Sequence, residues 1–330
     1  MDIKDIDCPG YERVVCAKED DFEAYVAIHS TKLGPALGGI RYWSYWDDKA
    51  AISDVLRLSK GMTYKAALAG LPLGGGKSVI INRGMDRKDV WEKFGELMNH
   101  LDGSYIAAED VGTTLDDVME LSSHTPHVAS LRSGDPSEMT AIGVVSCILT
   151  CLSVPASEAT ISVQGLGKVG SMVAEMMANH GSTVIVSDIN EDTMNRFANN
   201  GFITVGTDEI IAMKSDVFVP CAMGGIVDVR FLDTTGSNVI CGSANNQLFS
   251  DEIGDELFRR GMIYAPDFLV NAGGIINVYH ELNQDYDKNS ALSMVSSISQ
   301  TLINVMQKSK MNMIPTHVVA MEMAEERLNG

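Results

Sequence analysis

The chain has 330 residues, 45% of them hydrophobic and 21% charged, a composition that excludes a disordered or fibrous protein and, at ~100–200 residues per domain, predicts two domains. Its 25 Lys+Arg against 44 Asp+Glu leave a net charge of −19, and so acidic a surface repels phosphate backbones and anionic lipid, which excludes nucleic acid and membranes as expected partners. No run approaches the ~18 uninterrupted apolar residues of a membrane span, and the acidic first residues carry no signal-peptide pattern, so a cytoplasmic protein is expected.

Short β-branched runs alternate with longer segments of 3.6-residue period, the signature of an α/β fold. AYVAIH (24–29) reads as a strand. Ala50, Ile52, Val55, Leu56 and Leu58 predict a helix from Asp47 to about Leu68, capped by Asp47 or Asp48. A strand at 78–82, a helix over 87–101 stopped at Gly103, a strand at 105–108 and a helix from Thr113 or Thr114 to Leu121 follow. The turn-rich RSGDPSEMT (132–140) places a domain boundary between 132 and 133. Beyond it come an apolar helix over 140–152 and a second series: strand TISVQG (160–165), helix 168–180, strand TVIVSD (183–188), helix 191–199, strands DVFVP (216–220) and NVICG (238–242), helix 250–260 and strand MIYAP (262–266). Residues 286–328 read as helical, and 305–330 are expected to return to the first domain. The six cysteines contain no CxxC; Cys147 and Cys151, four apart in an apolar run, are expected on one helix face as reduced core thiols.

ISVQGLGKVG places Gly165, Gly167 and Gly170 directly after a strand and at a helix start. This is the dinucleotide-binding turn of a Rossmann fold, in which the glycines permit the turn, the approach of a pyrophosphate and the helix–strand packing. Lys168 and Val169 belong to the same turn. Asp188, ending the next strand, is placed to accept from the adenosine ribose hydroxyls and to repel a 2′-phosphate, which favours NAD over NADP. GLPLGGGKS (70–78) resembles a phosphate-binding loop but has Leu71 where the spacing demands glycine. Its glycines are expected to let backbone approach a small ligand beside Lys77. Lys65 and Lys77 suggest an anion site and a basic amine; two solvated lysines remain the other reading. Glu109 and Asp110 follow a strand at its carboxyl end, where α/β sheets bind ligands, and could equally be helix-start charges. Asn245, Asn246 and Asn271 sit beside small residues after strands, suited to holding a carboxylate or ammonium. His124 and His127 lack companion ligands at metal spacing, so no metal is expected. No G-x-S-x-G supports a serine hydrolase.

LGPALGGIR (33–41), GMTYKAALAGLPLGGGKS (61–78), YIAAEDVGTT (105–114), VQGLGKVG (163–170), CGSANNQL (241–248) and YAPDFLVNAGGIINV (264–278) together resemble the amino-acid dehydrogenases related to leucine, valine and phenylalanine dehydrogenase, themselves relatives of glutamate dehydrogenase. The blocks run in order over most of the chain, and the leucine-dehydrogenase branch matches best. The resemblance implies an N-terminal substrate domain (1–132, with 305–330 returning) and an NAD-binding Rossmann domain (133–304). It also implies a homo-oligomer. Lys77 would be the base and Asp110 would assist proton transfer at nitrogen. Lys65 would bind the substrate carboxylate with backbone approach at Gly38 or Gly39. Asn271 would lie near the reacting centre, Asn246 at the nicotinamide ribose, Thr140 at the carboxamide and Asp188 at the adenosine ribose.

The reaction so implied moves the α-hydrogen of an L-amino acid to NAD as hydride, adds water to the iminium and releases ammonia and a 2-oxo acid. The positions matching the substrate side-chain pocket, Leu37, Met62, Ala108, Ile275 and Val278, are apolar, which favours branched-chain substrates, since a Glu carboxylate would be desolvated there without a partner. Tyr279 and His280 depart from the leucine-dehydrogenase pattern, and tryptophan-dehydrogenase members also carry a tyrosine there. The rival expectations are therefore an aromatic amino-acid dehydrogenase, a relative that diverts the imine into condensation, and a non-catalytic dinucleotide-binding regulator.

Overall fold

The computed structural model describes residues 1–129, 131, 134–282 and 286–330. The chain opens with β1 (Asp2–Asp5), β2 (Arg13–Glu19), β3 (Phe22–Ser30) and β4 (Ala36–Trp43), then α1 (Asp48–Leu68), β5 (Gly74–Ile81), α2 (Arg87–His100), β6 (Tyr105–Glu109) and α3 (Leu115–Ser122). It continues through α4 (Ser137–Cys151), β7 (Thr160–Gln164), α5 (Lys168–Asn179), β8 (Thr183–Ser187), α6 (Glu191–Asn199), β9 (Ile203–Thr204), β10 (Val217–Pro220), α7 (Val229–Thr234), β11 (Val239–Ile240) and α8 (Asp251–Arg259). It ends with β12 (Ile263–Tyr264), α9 (Asp267–Val270), α10 (Gly273–Leu282), α11 (Lys288–Asn312) and α12 (Thr316–Asn329).

These elements form two compact units, one of Met1–Gly134, Val278–Asp287 and Ala324–Gly330, the other of Asp135–Asn277 and Lys288–Met323. The junction expected between 132 and 133 lies outside the described residues. The returning segment is not 305–330: α11 and the start of α12 stay with the second unit, and 278–287 and 324–330 join the first. The reason is the stripe Ala291, Val295, Ile298, Leu302 and Val305 on α11, which packs on α4, where a Cβ at Gly143 would lie 3.2 Å from Ile298 and 3.5 Å from Val295.

The first unit holds a mixed sheet in the order β1-β2-β3-β5-β4-β6. One face packs with α1 through Val14, Tyr25, Ala27, Ala51, Val55, Val79 and Ile81. The opposite face packs with α2 through Phe22, Ala24, Ile80, Trp91 and Phe94. Asp47 caps α1, its side chain accepting from Ala50 N at 2.7 Å, and Thr114 and Asp117 close a capping box on α3. The second unit is an all-parallel sheet in the order β12-β11-β10-β7-β8-β9, the doubly wound arrangement in which β7 sits at the topological switch.

The glycine run corrects one expectation. Gly74, Gly75 and Gly76 lie inside β5, a strand buried along its whole length, and not in a ligand-facing loop. A Cβ on Gly74 would collide with the Ser30 carbonyl, one on Gly75 with Thr63 of α1, and one on Gly76 would lie 2.6 Å from the Tyr105 ring. Protein atoms occupy the space that these glycines leave.

Candidate active site

Register brings the catalytic candidates onto one face. Gly39 pairs with Ala108 across β4 and β6, while Leu37 faces Gly75 and Arg41 faces Val79 across β4 and β5. Side chains two apart share a face, so Leu37, Gly39 and Arg41 stand beside Gly75, Lys77 and Val79 on the side that α1 covers. Asp110, one residue past β6, is fixed there because its N–H donates to Thr113 Oγ1 at 2.9 Å and its carbonyl accepts from Thr113 N at 3.1 Å. Lys77 is only 5% exposed, and its Nζ lies 2.8 Å from Asp110 Oδ2. Burial opposes ionisation of Asp110, but Lys77 and Arg41 outweigh it and hold the carboxyl below the ordinary range.

The glycines beside this pair differ in role. A Cβ on Gly38 would overlap the Gly76 carbonyl, so Gly38 lets β4 and β5 pack. A Cβ on Gly39 would sit 2.5 Å from Asp110 Cβ and 3.0 Å from Lys77 Nζ, so Gly39 lets the ion pair lie directly against β4. Leu37 and Ala108 are buried. Lys65 and Met62 are half-buried on the last turns of α1, the helix over this face. Val278 is a buried residue of α10 in the same unit.

Arg41 was not singled out in the sequence. Its Nε lies 3.3 Å from Asp110 Oδ2 and its Nη1 2.8 Å from Asp54 Oδ2. Asp54 also accepts from Tyr45 Oη at 2.6 Å and Arg57 Nη2 at 3.0 Å. Burial pushes Asp54 up, and Tyr45, Arg41 and Arg57 more than reverse this, leaving it below the ordinary carboxylate range. The signal was present: an arginine closing a GGIR run on the face of Lys77, and an acid on the inner side of the following helix.

In the second unit, Gly165 adopts φ +92°, and a Cβ there would meet Ala222 at 2.7 Å. A Cβ on Gly170 would overlap the Gly165 carbonyl. Around Gly167, by contrast, nothing lies within 4 Å, and as N-cap of α5 it provides no side-chain hydrogen bond. The first N–H groups of α5 are thus approachable by a phosphate, with Lys168 and Val169 beginning the helix. Lys168 Nζ pairs with Asp135 at 2.9 Å. Asp188 Oδ2 accepts from Leu166 N at 2.6 Å and Oδ1 from Asn190 N at 2.8 Å, which ties the acid to the turn itself. These residues fit a dinucleotide.

Thr140 Oγ1 donates to the Pro136 carbonyl at 3.0 Å. Asn246 holds φ +53° in the loop after β11. Asn271 Nδ2 donates to Ser243 O at 3.0 Å and Asn245 Oδ1 at 2.8 Å, while its own Oδ1 is buried and accepts no hydrogen bond from the described residues. Ile275, on α10, is buried. His124 and His127 pack against Gly95 and Gly103, and among the described residues no group of three or more His, Cys, Asp or Glu could hold a metal ion. No helix among them is long and apolar enough to cross a membrane.

A parallel sheet with a GxGxxG turn at its switch point, joined in one chain to a unit bearing a buried lysine–carboxylate pair, defines a dinucleotide-dependent dehydrogenase. The chain belongs to the Glu/Leu/Phe/Val dehydrogenases, NAD(P)-dependent oxidoreductases acting on the CH–NH2 group of amino acids. Residues 13–127 match the Glu/Leu/Phe/Val dehydrogenase dimerisation domain and 186–328 the Glutamate/Leucine/Phenylalanine/Valine dehydrogenase model. Leucine dehydrogenase of Bacillus cereus is 42% identical over 96% of this chain and 91% of its own. L-tryptophan dehydrogenase of Nostoc punctiforme is 37% identical over 97% and 94%. The crystal structure of the latter enzyme superposes with a TM-score of 0.86 over 97% of this chain and 96% of its own, at 35% identity. Phenylalanine dehydrogenase of Caldalkalibacillus thermarum is 39% identical over 93% and 87%.

Proposed function

We propose that this enzyme catalyses the NAD-linked, reversible oxidative deamination of branched-chain L-amino acids, leucine with valine and isoleucine, to 2-oxo acids and ammonia in the cytoplasm. The observation that carries the reading is the pair formed by buried Lys77 and half-buried Asp110 at 2.8 Å, packed against Gly39, where any side chain would displace it. The Gly165–Gly170 turn, Lys168, Val169 and Asp188 would hold NAD, which when bound would supply the hydride acceptor for the α-carbon. Lys65 holds the substrate carboxylate by a charge-assisted contact. Lys77 takes a proton from the water that adds to the iminium carbon, and Asp110 passes a proton to the departing nitrogen. Each turnover consumes one amino acid, one NAD and one water and yields the oxo acid, ammonia, NADH and a proton.

Substrate choice follows from Leu37, Met62, Ala108, Ile275 and Val278, all apolar, which suit an aliphatic side chain and offer no partner to a carboxylate. Tyr279 of α10 and the likeness to a tryptophan dehydrogenase support an aromatic substrate as the second reading. Assembly into a homo-oligomer is supported by the match of residues 13–127 to a dimerisation domain. The test is Lys77→Ala: turnover falls ~10²–10⁴-fold, as for loss of a general base, with NADH affinity unchanged because the dinucleotide turn belongs to the other unit. Near wild-type kcat at saturating amino acid, or a parallel loss of NADH binding, would remove Lys77 from this role.

A further inference from the structure

Behind the Lys77–Asp110 pair lies a half-buried chain of alternating charge that the proposed reaction does not use. Arg41 sits at its centre, with 20% of its side chain exposed, between Asp110 at 3.3 Å and Asp54 at 2.8 Å. Its two contacts use different edges of the guanidinium. A free arginine beside a carboxylate tends to close on it as a two-pronged pair; here Asp54, itself held by Tyr45 and Arg57, takes the Nη1 edge. Asp110 therefore receives the charge of Arg41 without being enclosed by it, and its Oδ2 stays within 2.8 Å of Lys77.

We propose that Arg41, braced by Asp54 and Tyr45, is a positioning residue for the Lys77–Asp110 pair: a fixed, half-buried cation that holds Asp110 as a carboxylate against Lys77 and resists proton uptake by the site. The groups facing it are Asp110 at the end of β6, Lys77 on β5, Asp54 and Arg57 on α1, and Tyr45 ahead of α1. The inference rests on the proposed deamination. Its sign does not depend on which of the pair a pH profile reports, because removing a fixed cation makes protonation easier for every group around it.

The experiment compares wild type, Lys77→Ala, Arg41→Met and Arg41→Lys in NADH formation from L-leucine across pH, with melting curves and NADH affinity alongside. Arg41→Met is expected to move the acid limb of the kcat profile upward by about one pH unit, the size of effect that one neighbouring opposite charge has on a carboxylate, with NADH affinity unchanged. Arg41→Lys, which keeps the charge and loses the fork, is expected to keep the wild-type limb while kcat falls at least about tenfold through misplacement of Asp110. A wild type inactive on L-leucine and on every other L-amino acid would refute the deamination and this inference with it; if another amino acid is turned over, the comparison is made with that substrate. Inactive Lys77→Ala beside Arg41→Met with the wild-type limb and kcat would overturn the inference alone. If Arg41→Met does not fold, Arg41→Lys decides: wild-type kcat in that variant overturns the proposal, and lowered kcat on an unmoved limb supports it.

Discussion

Asp188 shows one side chain serving chemistry and architecture together. Its carboxylate anchors Leu166 N within the glycine turn, which fixes its charge at the place we propose for the adenosine ribose. A 2′-phosphate there meets like charge. Asp188→Ser should lower the KM for NADP at least about fivefold relative to that for NAD, since the repulsion between neighbouring like charges amounts to ~1 kcal/mol or more. It should also weaken NAD binding somewhat by freeing Leu166 N. Initial rates with both cofactors measure this, and an unchanged ratio would take Asp188 out of discrimination. The glycine turn and Asp188 were legible from motif spacing, and Lys77 and Asp110 from the family resemblance, where spacing alone left solvated lysines and helix-start charges open. The meeting of Arg41 with Asp54 and Tyr45 was not legible, because it depends on which face of β4 Arg41 takes and on how α1 and the residues ahead of it lie across the sheet.

Among elements, the glycines separate two kinds of requirement. Gly75→Ala drives a methyl into Thr63 of α1, 2.5 Å from its Cα. The cost should be about 1–3 kcal/mol, as for overpacking elsewhere, seen as a drop in melting temperature of several degrees. Gly167→Ala adds a methyl where nothing lies within 4 Å and at a backbone angle open to alanine, φ −65°. It should leave the melting temperature near wild type and raise the Kd for NADH, because the methyl occupies the approach of the pyrophosphate. Equal melting temperatures for the two variants would contradict this division.

The same contrast explains what the sequence concealed. Pro35, just ahead of β4, and Gly38 and Gly39 within it are turn-type residues, yet Gly38 is there so that two strands can touch. The start of α10 at Gly273–Gly274 also looks like a turn, and Gly273 is needed where the helix meets the Met139 carbonyl. Glycine chosen for close packing and glycine chosen for a turn are indistinguishable without the neighbour. β7, β8 and α1 were legible because their apolar period is uninterrupted.

α12 adds a pH dependence. His317 is 3% exposed against Gly254 of α8, and neither ring nitrogen has a hydrogen bond in the described residues. Burial lowers its pKa, against the opposing pull of Asp251 and Asp255. A histidine whose folded pKa is depressed contributes fully above its unfolded value of ~6.5, and the contribution is lost as pH falls from there through the folded pKa. Melting temperature should therefore fall between about pH 7 and pH 5, within which unfolded histidine takes up its proton, and His317→Leu should reduce that fall. His29, lowered by its partial burial and by the charge of Lys60, shifts the same way and adds to the fall. A wild-type slope in His317→Leu would show that the ring is not protonated on unfolding in this range.

For the whole molecule, the two-unit plan followed from the two α/β series, but the crossings did not. α10 and α12 each pass from one unit to the other inside an unbroken helix, at 277/278 and 323/324, where no change of period marks the place. Light scattering at micromolar protein should report a multiple of 35.6 kDa; a monomer mass would refute the homo-oligomer. The central claim is tested most directly by NADH formation across a panel of L-amino acids. Leucine, valine and isoleucine should give the highest kcat/KM, with glutamate weakest for want of a partner for its carboxylate. Preference for phenylalanine, tryptophan or glutamate over all three would contradict the branched-chain reading, and absence of NADH from every amino acid would contradict the deamination itself.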